Sequence, residues 1–298
     1  MRVFLEISHT SCDSEIMKSG FDFDVLCPSW DAKCRPKPQN ARVVSGPDGE
    51  YDCAIVCSRV GFDLFKARET PIIWKSFVDF GKWPRPPRVV YDRISAWTTL
   101  CRESASRFSM GGDPNACVIE PGIDTNLFSG YIGSSNSVIT TGHLIPNRTE
   151  KGPDVLRRVA RDVKISCIGT GNDALTESGI QVIPHAPSPE ALVDTLKFQR
   201  AYFNPCGVVC CAALEAMSIG MPVVTMRPGN LSDFMVSRKN CFIADTEAEA
   251  VGRLEFLLEN RDVAQKVGYN ARASIVKRMS SRRCASRWKR LVESVSRR

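Results

Sequence analysis

Histidine is scarce in this sequence, a metal-binding cysteine pair is missing, and no apolar run is long. Three histidines, His9, His143 and His185, occur in 298 residues, too few and too scattered for a zinc site. The 13 cysteines include no Cys-x-x-Cys pair. Their number is odd, and Cys53, Cys57, Cys167, Cys210 and Cys211 lie inside apolar runs. They read as reduced core residues rather than as a disulfide framework. Nothing approaches the roughly 20 apolar residues of a transmembrane helix. The opening MRVFLEISHTSCDSE also lacks the basic start and apolar core of a secretory leader. The expectation is a protein of the cytoplasm. Acidic residues nearly vanish at the far end, where Glu293 alone faces Lys266, Arg272, Lys277, Arg278, Arg282, Arg283, Arg287, Lys289, Arg290, Arg297 and Arg298. Two readings of that excess stay open. One is a solvated helix face; the other is contact with an anionic surface, nucleic acid or the inner face of a membrane, where the protein would sit peripherally.

What is present is a globular composition, 43% hydrophobic with a formal net charge of +7 and a mean hydropathy of -0.16. The length allows two modest cores. Apolar runs alternate with helical patterns throughout, which argues for α/β architecture. The pattern is sharpest over residues 201–227, AYFNPCGVVCCAALEAMSIGMPVVTMR. A strand ends at Phe203, a turn spans 204–207, a helix is expected over 208–219, and Gly220 stops it before the buried strand MPVVTM. Such a unit aims free backbone N–H groups at whatever lies above the first strand, a place suited to phosphate. Glu215 is the helix's one carboxylate, and in an apolar segment it should have a partner.

The run Leu-Glu-Ala-Met-x-x-Gly-x-Pro-Val-Val at 214–224 closely resembles the donor-sugar segment of glycosyltransferase family 4 and its relatives of the GT-B fold. The resemblance implies that Glu215 holds the ribose hydroxyls of a nucleotide-sugar donor. It extends to CVIEPGIDTNLF at 117–128, similar to the loop that leaves the family's N-terminal domain. It extends also to 142–152, where the family reads Gly-Arg-Leu-x-x-x-Lys-Gly and uses the arginine and lysine against the donor diphosphate. Here Gly142 and Lys151 are kept, His143 stands in the arginine position, and Arg148 is close enough in sequence to supply a guanidinium. Lys151 with Arg148 is the expected clamp, since bond cleavage leaves negative charge on the diphosphate. Gly169-Thr170-Gly171 resembles the family's donor-facing Gly-x-Gly loop, and His185-Ala186 falls where the nucleobase is held by backbone groups. Amides of Gly207 and Val208, at the expected helix start, would add to the phosphate or sugar site.

Three departures accompany the resemblance. The turn after the first strand, His9 to Ser14, lacks the family's Gly-Gly pair, although Thr10, Ser11 and Ser14 offer donors. His9 itself reads as a surface turn residue or an acceptor-site base. The family histidine that follows the fourth strand is replaced by Lys75, Ser76 and Phe77. The second glutamate, eight residues before the Leu-Glu-Ala-Met glutamate, is Gly207. Elsewhere, Asp22-Phe23-Asp24 matches a metal-binding Asp-x-Asp string but leads straight into a strand, and no metal is expected. The proline-rich loop at 81–88 would rim the cleft, with Lys82, Trp83 and Arg85 as acceptor contacts or as ordinary exposed residues.

The sequence therefore implies a GT-B architecture of two doubly wound Rossmann-like α/β domains facing a cleft. Residues 1–130 form a reduced acceptor domain, 137–281 a donor domain, and 282–298 a basic helix crossing back to the first domain. The implied activity is retaining, metal-independent sugar transfer, without a cofactor, from a UDP- or GDP-sugar. The acceptor would be a glycan, a lipid-linked glycan or a hydroxymethylated DNA base. A nucleotide-sugar binding protein with weakened catalysis, and an epimerase of the same fold, are the alternatives.

Overall fold

Apolar runs punctuated by polar turns become strands, and the chain places them in two parallel sheets. The computed structural model describes residues 1–7, 10–27, 36–76, 88–109, 116–143 and 145–297. The readings made for His9 and for Lys82, Trp83 and Arg85 lie outside the described residues. Two compact units emerge, Met1–Gly122 with Ser281–Arg298, and Ile123–Ser280.

The first unit opens with β1 (Arg2–Glu6), α1 (Thr10–Met17), β2 (Asp22–Leu26), β3 (Ala41–Val44) and β4 (Cys53–Val56). It continues with α2 (Arg59–Phe65), β5 (Ile72–Lys75), β6 (Ile94–Thr99), α3 (Arg102–Ser109) and β7 (Ala116–Val118). The strands form one sheet in the order β3-β2-β1-β4-β5-β6-β7, with parallel pairing throughout. The polar turn expected after β1 is instead the start of α1. The strand β3 carries no apolar alternation that a sequence reading would find, because Arg42 and Val43 are exposed on it.

The second unit holds β8 (Val138–Thr141), α4 (Pro153–Val159), β9 (Ile165–Ile168), β10 (Gln181–Ile183) and α5 (Pro189–Leu196). Then come β11 (Ala201–Asn204), α6 (Cys211–Ile219), β12 (Val223–Met226), β13 (Phe242–Ala244), α7 (Glu247–Glu259) and α8 (Arg261–Met279). Its sheet order is β10-β9-β8-β11-β12-β13. That is the doubly wound order with its reversal between β8 and β11, and ligands bind such sheets outside the carboxyl ends of the strands at the reversal. One face buries Val138, Ile165, Phe203 and Val224 against Leu156 of α4, Leu254 of α7 and Val267 of α8. Residues 232–234 form a turn, preceded by Leu231 at φ 55°.

The remaining element, α9 (Ser281–Ser296), belongs to the first unit. Its apolar stripe of Cys284, Trp288, Val292 and Val295 shares a core with Val3 and Leu5 of β1 and with Ile16 and Met17 of α1. Arg287 adds an ion pair to the buried Glu120 at 2.6 Å. The opposite face of that sheet packs Phe4, Ala54 and Trp74 on Phe62 and Phe65 of α2.

The string Asp22-Phe23-Asp24 lies on β2, where alternation sends its two carboxylates to one side and Phe23 to the other. Asp24 is engaged by Arg42 at 2.8 Å, by Arg2 at 2.5 Å and by the Tyr51 hydroxyl at 2.8 Å. Its role is thus to bind β1, β2 and β3 together at their edge.

Candidate functional site

The reversal in the second sheet gathers the loops that follow β8, β9, β10 and β11. Gly142 ends β8, with its amide on the Ile168 carbonyl at 2.9 Å. Gly169 follows β9 at φ 147°, where a side chain would run into the Gly142 carbonyl oxygen. Only glycine allows the two loops to approach this closely. Asn172 then fastens them. It is fully buried, its amide nitrogen donates to the Gly142 carbonyl at 2.7 Å, and its side-chain oxygen accepts from the Ile145 amide at 3.0 Å.

His143 points across this seam. The Thr170 amide donates to its Nδ1 at 3.1 Å, and the Thr170 hydroxyl lies 2.9 Å from the same nitrogen. A nitrogen that accepts from a backbone amide carries no proton, which assigns the proton of the neutral ring to Nε2. Its ring stands edge-on to His185 with centroids 4.7 Å apart. The structure thus brings together His143, the Gly169 to Gly171 loop, His185 and the adjoining buried Ala186. The position that resembles the family's arginine is occupied here by a neutral imidazole.

The charge comes from the next turn. Residues Thr149–Lys151 form a single 3-10 turn that ends on Gly152 in the left-handed region at φ 69°. A Cβ on Gly152 would strike the Pro205 carbonyl oxygen, so this glycine lays the Lys151 turn against the loop after β11. The ammonium of Lys151 takes part in no ion pair among the described residues. Arg148 is differently placed. It is half exposed and its Nε donates to Glu150 at 2.7 Å.

The loop after β11 is built by Asn204, a buried amide at the end of an apolar strand. Its nitrogen donates to the carbonyls of Cys206 at 3.2 Å and Val208 at 3.0 Å and to the Thr225 hydroxyl at 2.9 Å. From the other side Asn230 accepts from the Val209 amide at 2.8 Å. These bonds hold residues 206–209 out of helical geometry. The helix α6 therefore begins at Cys211, three residues later than the sequence suggests, with Cys210 extended and providing no side-chain cap. Gly207 and Val208 lie in the turn, and the amides without intrahelical partners are those of Cys211, Ala212 and Ala213. Burial and the neighbouring Cys210 push the Cys206 thiol up to about 11, while Lys151 pulls in the opposite direction. The lysine charge thus reaches the turn. Ten cysteines among the described residues are free thiols, as expected, whereas Cys211 is disulfide-bonded.

Glu215 sits on the second turn of α6 and is 6% exposed. It has the polar interaction that a buried carboxylate requires. Asn172, Thr170, Asn204 and Asn230 were not flagged by motif reading. The one signal for Asn204 was a lone amide closing the apolar run AYF.

Comparison with known proteins bears on the fold and on one segment of the chain. Residues 175–274 match the family model of the glycosyl transferases group 1. This segment, which contains α6 and Glu215, lies within the second unit and is similar to that family. No curated protein matches the sequence significantly. Over both units the fold is GT-B. The chain is similar to Anabaena HepE, solved in complex with UDP-glucose, at 14% identity with a TM-score of 0.78, covering 99% of this chain and 100% of that one. It is similar to sucrose-phosphate synthase from Thermosynechococcus elongatus at 11% identity and a TM-score of 0.79, covering 99% and 98%. A glycosyltransferase from Rickettsia africae is similar at 9% identity, with a TM-score of 0.70 and coverage of 99% and 98%.

In the first unit, the position where the resembled family carries a histidine is a buried ion pair. Lys75 ends β5 at 2% exposure, donates to Asp13 at 2.5 Å and reaches the Glu6 carbonyl at 3.2 Å. Among the described residues no group of histidine, cysteine and carboxylate side chains has the geometry of a metal site, and no helix is long and apolar enough to cross a membrane.

Proposed function

We propose that the protein is a retaining, metal-independent glycosyltransferase that uses a nucleotide-sugar donor and acts in the cytoplasm. The observation that carries this reading is the close approach of Gly152 to Pro205, which lays the Lys151 turn against the loop that leads into the helix bearing Glu215. In this reading Glu215 accepts from the ribose hydroxyls. Lys151 and the amides of Cys211, Ala212 and Ala213 meet the diphosphate, and Arg148 joins them by leaving Glu150. Gly142, His143 and the loop of Gly169 and Gly171 line the phosphate side, while backbone groups at His185 and Ala186 meet the base. Gly207 and Val208 border the transferred sugar. The HepE complex with UDP-glucose favours UDP over GDP as the base carrier.

The residues supply the chemistry that transfer needs. Cleavage of the bond between sugar and diphosphate leaves negative charge on the leaving group, and a fixed cation with oriented amides stabilises it as it develops. The departing phosphate can itself take the acceptor's proton on the face it leaves. A protein base is then not required, which suits a first unit whose Lys75 is closed within an ion pair. The acceptor is a glycan, a lipid-linked glycan or a hydroxymethylated DNA base.

A panel of UDP- and GDP-sugars assayed against these acceptors, with and without EDTA, tests the reading. The expected result is transfer with retained anomeric configuration, seen by NMR of the product, and no loss in EDTA. Binding of a donor without turnover on any acceptor would favour the second reading, a nucleotide-sugar binding protein. That reading is supported by Gly207 in place of a sugar-contacting glutamate and by the buried Lys75. Interconversion of one nucleotide sugar into its epimer would favour the third.

A further inference from the structure

On the first unit, away from the glycosyltransferase domain, a groove of about 370 Å³ runs between the end of α1 and the first turns of α9. Its lining is Lys18, Ser19, Ser281, Arg282, Ser286 and Lys289, with Ala285 the one apolar member. This volume is more than ten times a water's share of the liquid, ~30 Å³. Three cations face one space, and Lys18 pairs with Glu15 at 3.0 Å through one carboxylate oxygen, the other being buried without a hydrogen-bond partner. Arg282 and Lys289 are exposed and in no ion pair among the described residues.

Two independent observations point to a missing ligand. Ser19 is 7% exposed, and its hydroxyl has no hydrogen-bond partner. The Ser281 hydroxyl, also buried, has none either. A buried hydroxyl left unpaired costs on the order of 1–3 kcal/mol, and two on the wall of one cationic groove mark a place for an acceptor with several oxygens. Ser281 is, in addition, the first residue of the 16-residue helix α9. The amides of that turn have no partner within the helix, and their dipole favours an anion.

We infer that this groove binds a phosphate group. The α9 amides and the Ser281 hydroxyl meet one side of it, the Ser19 hydroxyl turns toward it from α1, and Arg282 and Lys289 close over it. The phosphate belongs either to a free phosphate ester or to a lipid headgroup. In the second case the exposed Arg283, Arg290 and Arg297 on the same helix would meet neighbouring headgroups. The inference is independent of the donor-site reading, because none of its residues lies in the second unit.

The test is calorimetric titration of the nucleotide-free full chain with inorganic phosphate. Binding is expected, with Arg282→Glu weakening it at least tenfold and Ser19→Ala three- to tenfold. Lys289→Glu, on the exposed face, serves as a second charge reversal should Arg282→Glu fail to fold. Lys151→Ala should leave this affinity unchanged. Absence of binding, or an affinity untouched by both charge reversals, overturns the inference. Flotation with phosphatidylglycerol vesicles then distinguishes the sources. Capture that Arg282→Glu abolishes identifies the headgroup, and no capture by a chain that binds phosphate identifies the free ester.

Discussion

Glu215 and Gly152 illustrate how much one position can carry. Glu215→Ala is expected to raise the donor dissociation constant by one to two decades, from the loss of charged hydrogen bonds of about 1.5–3 kcal/mol. Equilibrium titration with the donor measures it, and unchanged affinity in a folded variant removes Glu215 from the site. Gly152→Ala is expected to lower stability by about 2 kcal/mol or more. Part is the left-handed backbone, ~1–2 kcal/mol, and part is displacement of the Pro205 carbonyl. Gly207→Ala is the contrast. Its nearest neighbour, the Arg227 carbonyl oxygen, lies 3.7 Å from the added carbon, and the change should stay within about 0.5 kcal/mol. Urea denaturation of the two variants checks both. A glutamate at Gly207 would therefore meet no backbone obstacle at its first carbon.

At the scale of elements, the sequence spoke most clearly where apolar period and boundary signals agreed. The stop of α6 at Gly220 and the strand within MPVVTM are where the sequence places them, because a glycine and a β-branched run mark them. α1 was hidden because its opening Thr10 and Ser11 are as suited to a turn as to a helix start. α6 was read three residues too long, because Val208 and Val209 fit an apolar helix. The side chains of Asn204 and Asn230 that prevent it come from other segments. The same holds for His143, whose tautomer is set by Thr170, a loop away. α9 was legible as an amphipathic basic helix, and its packing gives a further expectation. Trp288 is 4% exposed within the first unit's core, so Trp288→Ala should cost ~3–5 kcal/mol. A fall in the midpoint of chemical unfolding, with donor affinity of the surviving folded fraction unchanged, would show it.

For the molecule as a whole, acid is the condition to which its charge network responds. The Arg42 guanidinium, with help from Tyr51 and Arg2, holds the Asp24 carboxyl well below the usual carboxylate range. The unfolded chain therefore takes up a proton there more readily than the folded one. This stabilisation is complete above the ordinary aspartate value of about 3.9 and is lost as pH falls through the folded value. Asp48, Asp63, Asp245 and Glu247 are also held low, each first by an arginine. A chain that starts at +7 also gains repulsion as its carboxylates neutralise. Asp24→Asn should lower the melting temperature at pH 7, and the gap from the parent protein should narrow progressively as pH falls below about 4, without closing until the pH is below the folded value. A gap that is constant with pH would exclude the ion-pair explanation. The placement of α9 has a consequence for synthesis. The second unit is one uninterrupted stretch, Ile123–Ser280, whereas the first needs a helix encoded after it. At ~5–20 residues per second, Val3, Leu5 and Ile16 wait roughly fifteen to sixty seconds for the surface that covers them. During that interval the half-finished first unit exposes an apolar face to chaperones and to other nascent chains, while the later-made unit closes before it.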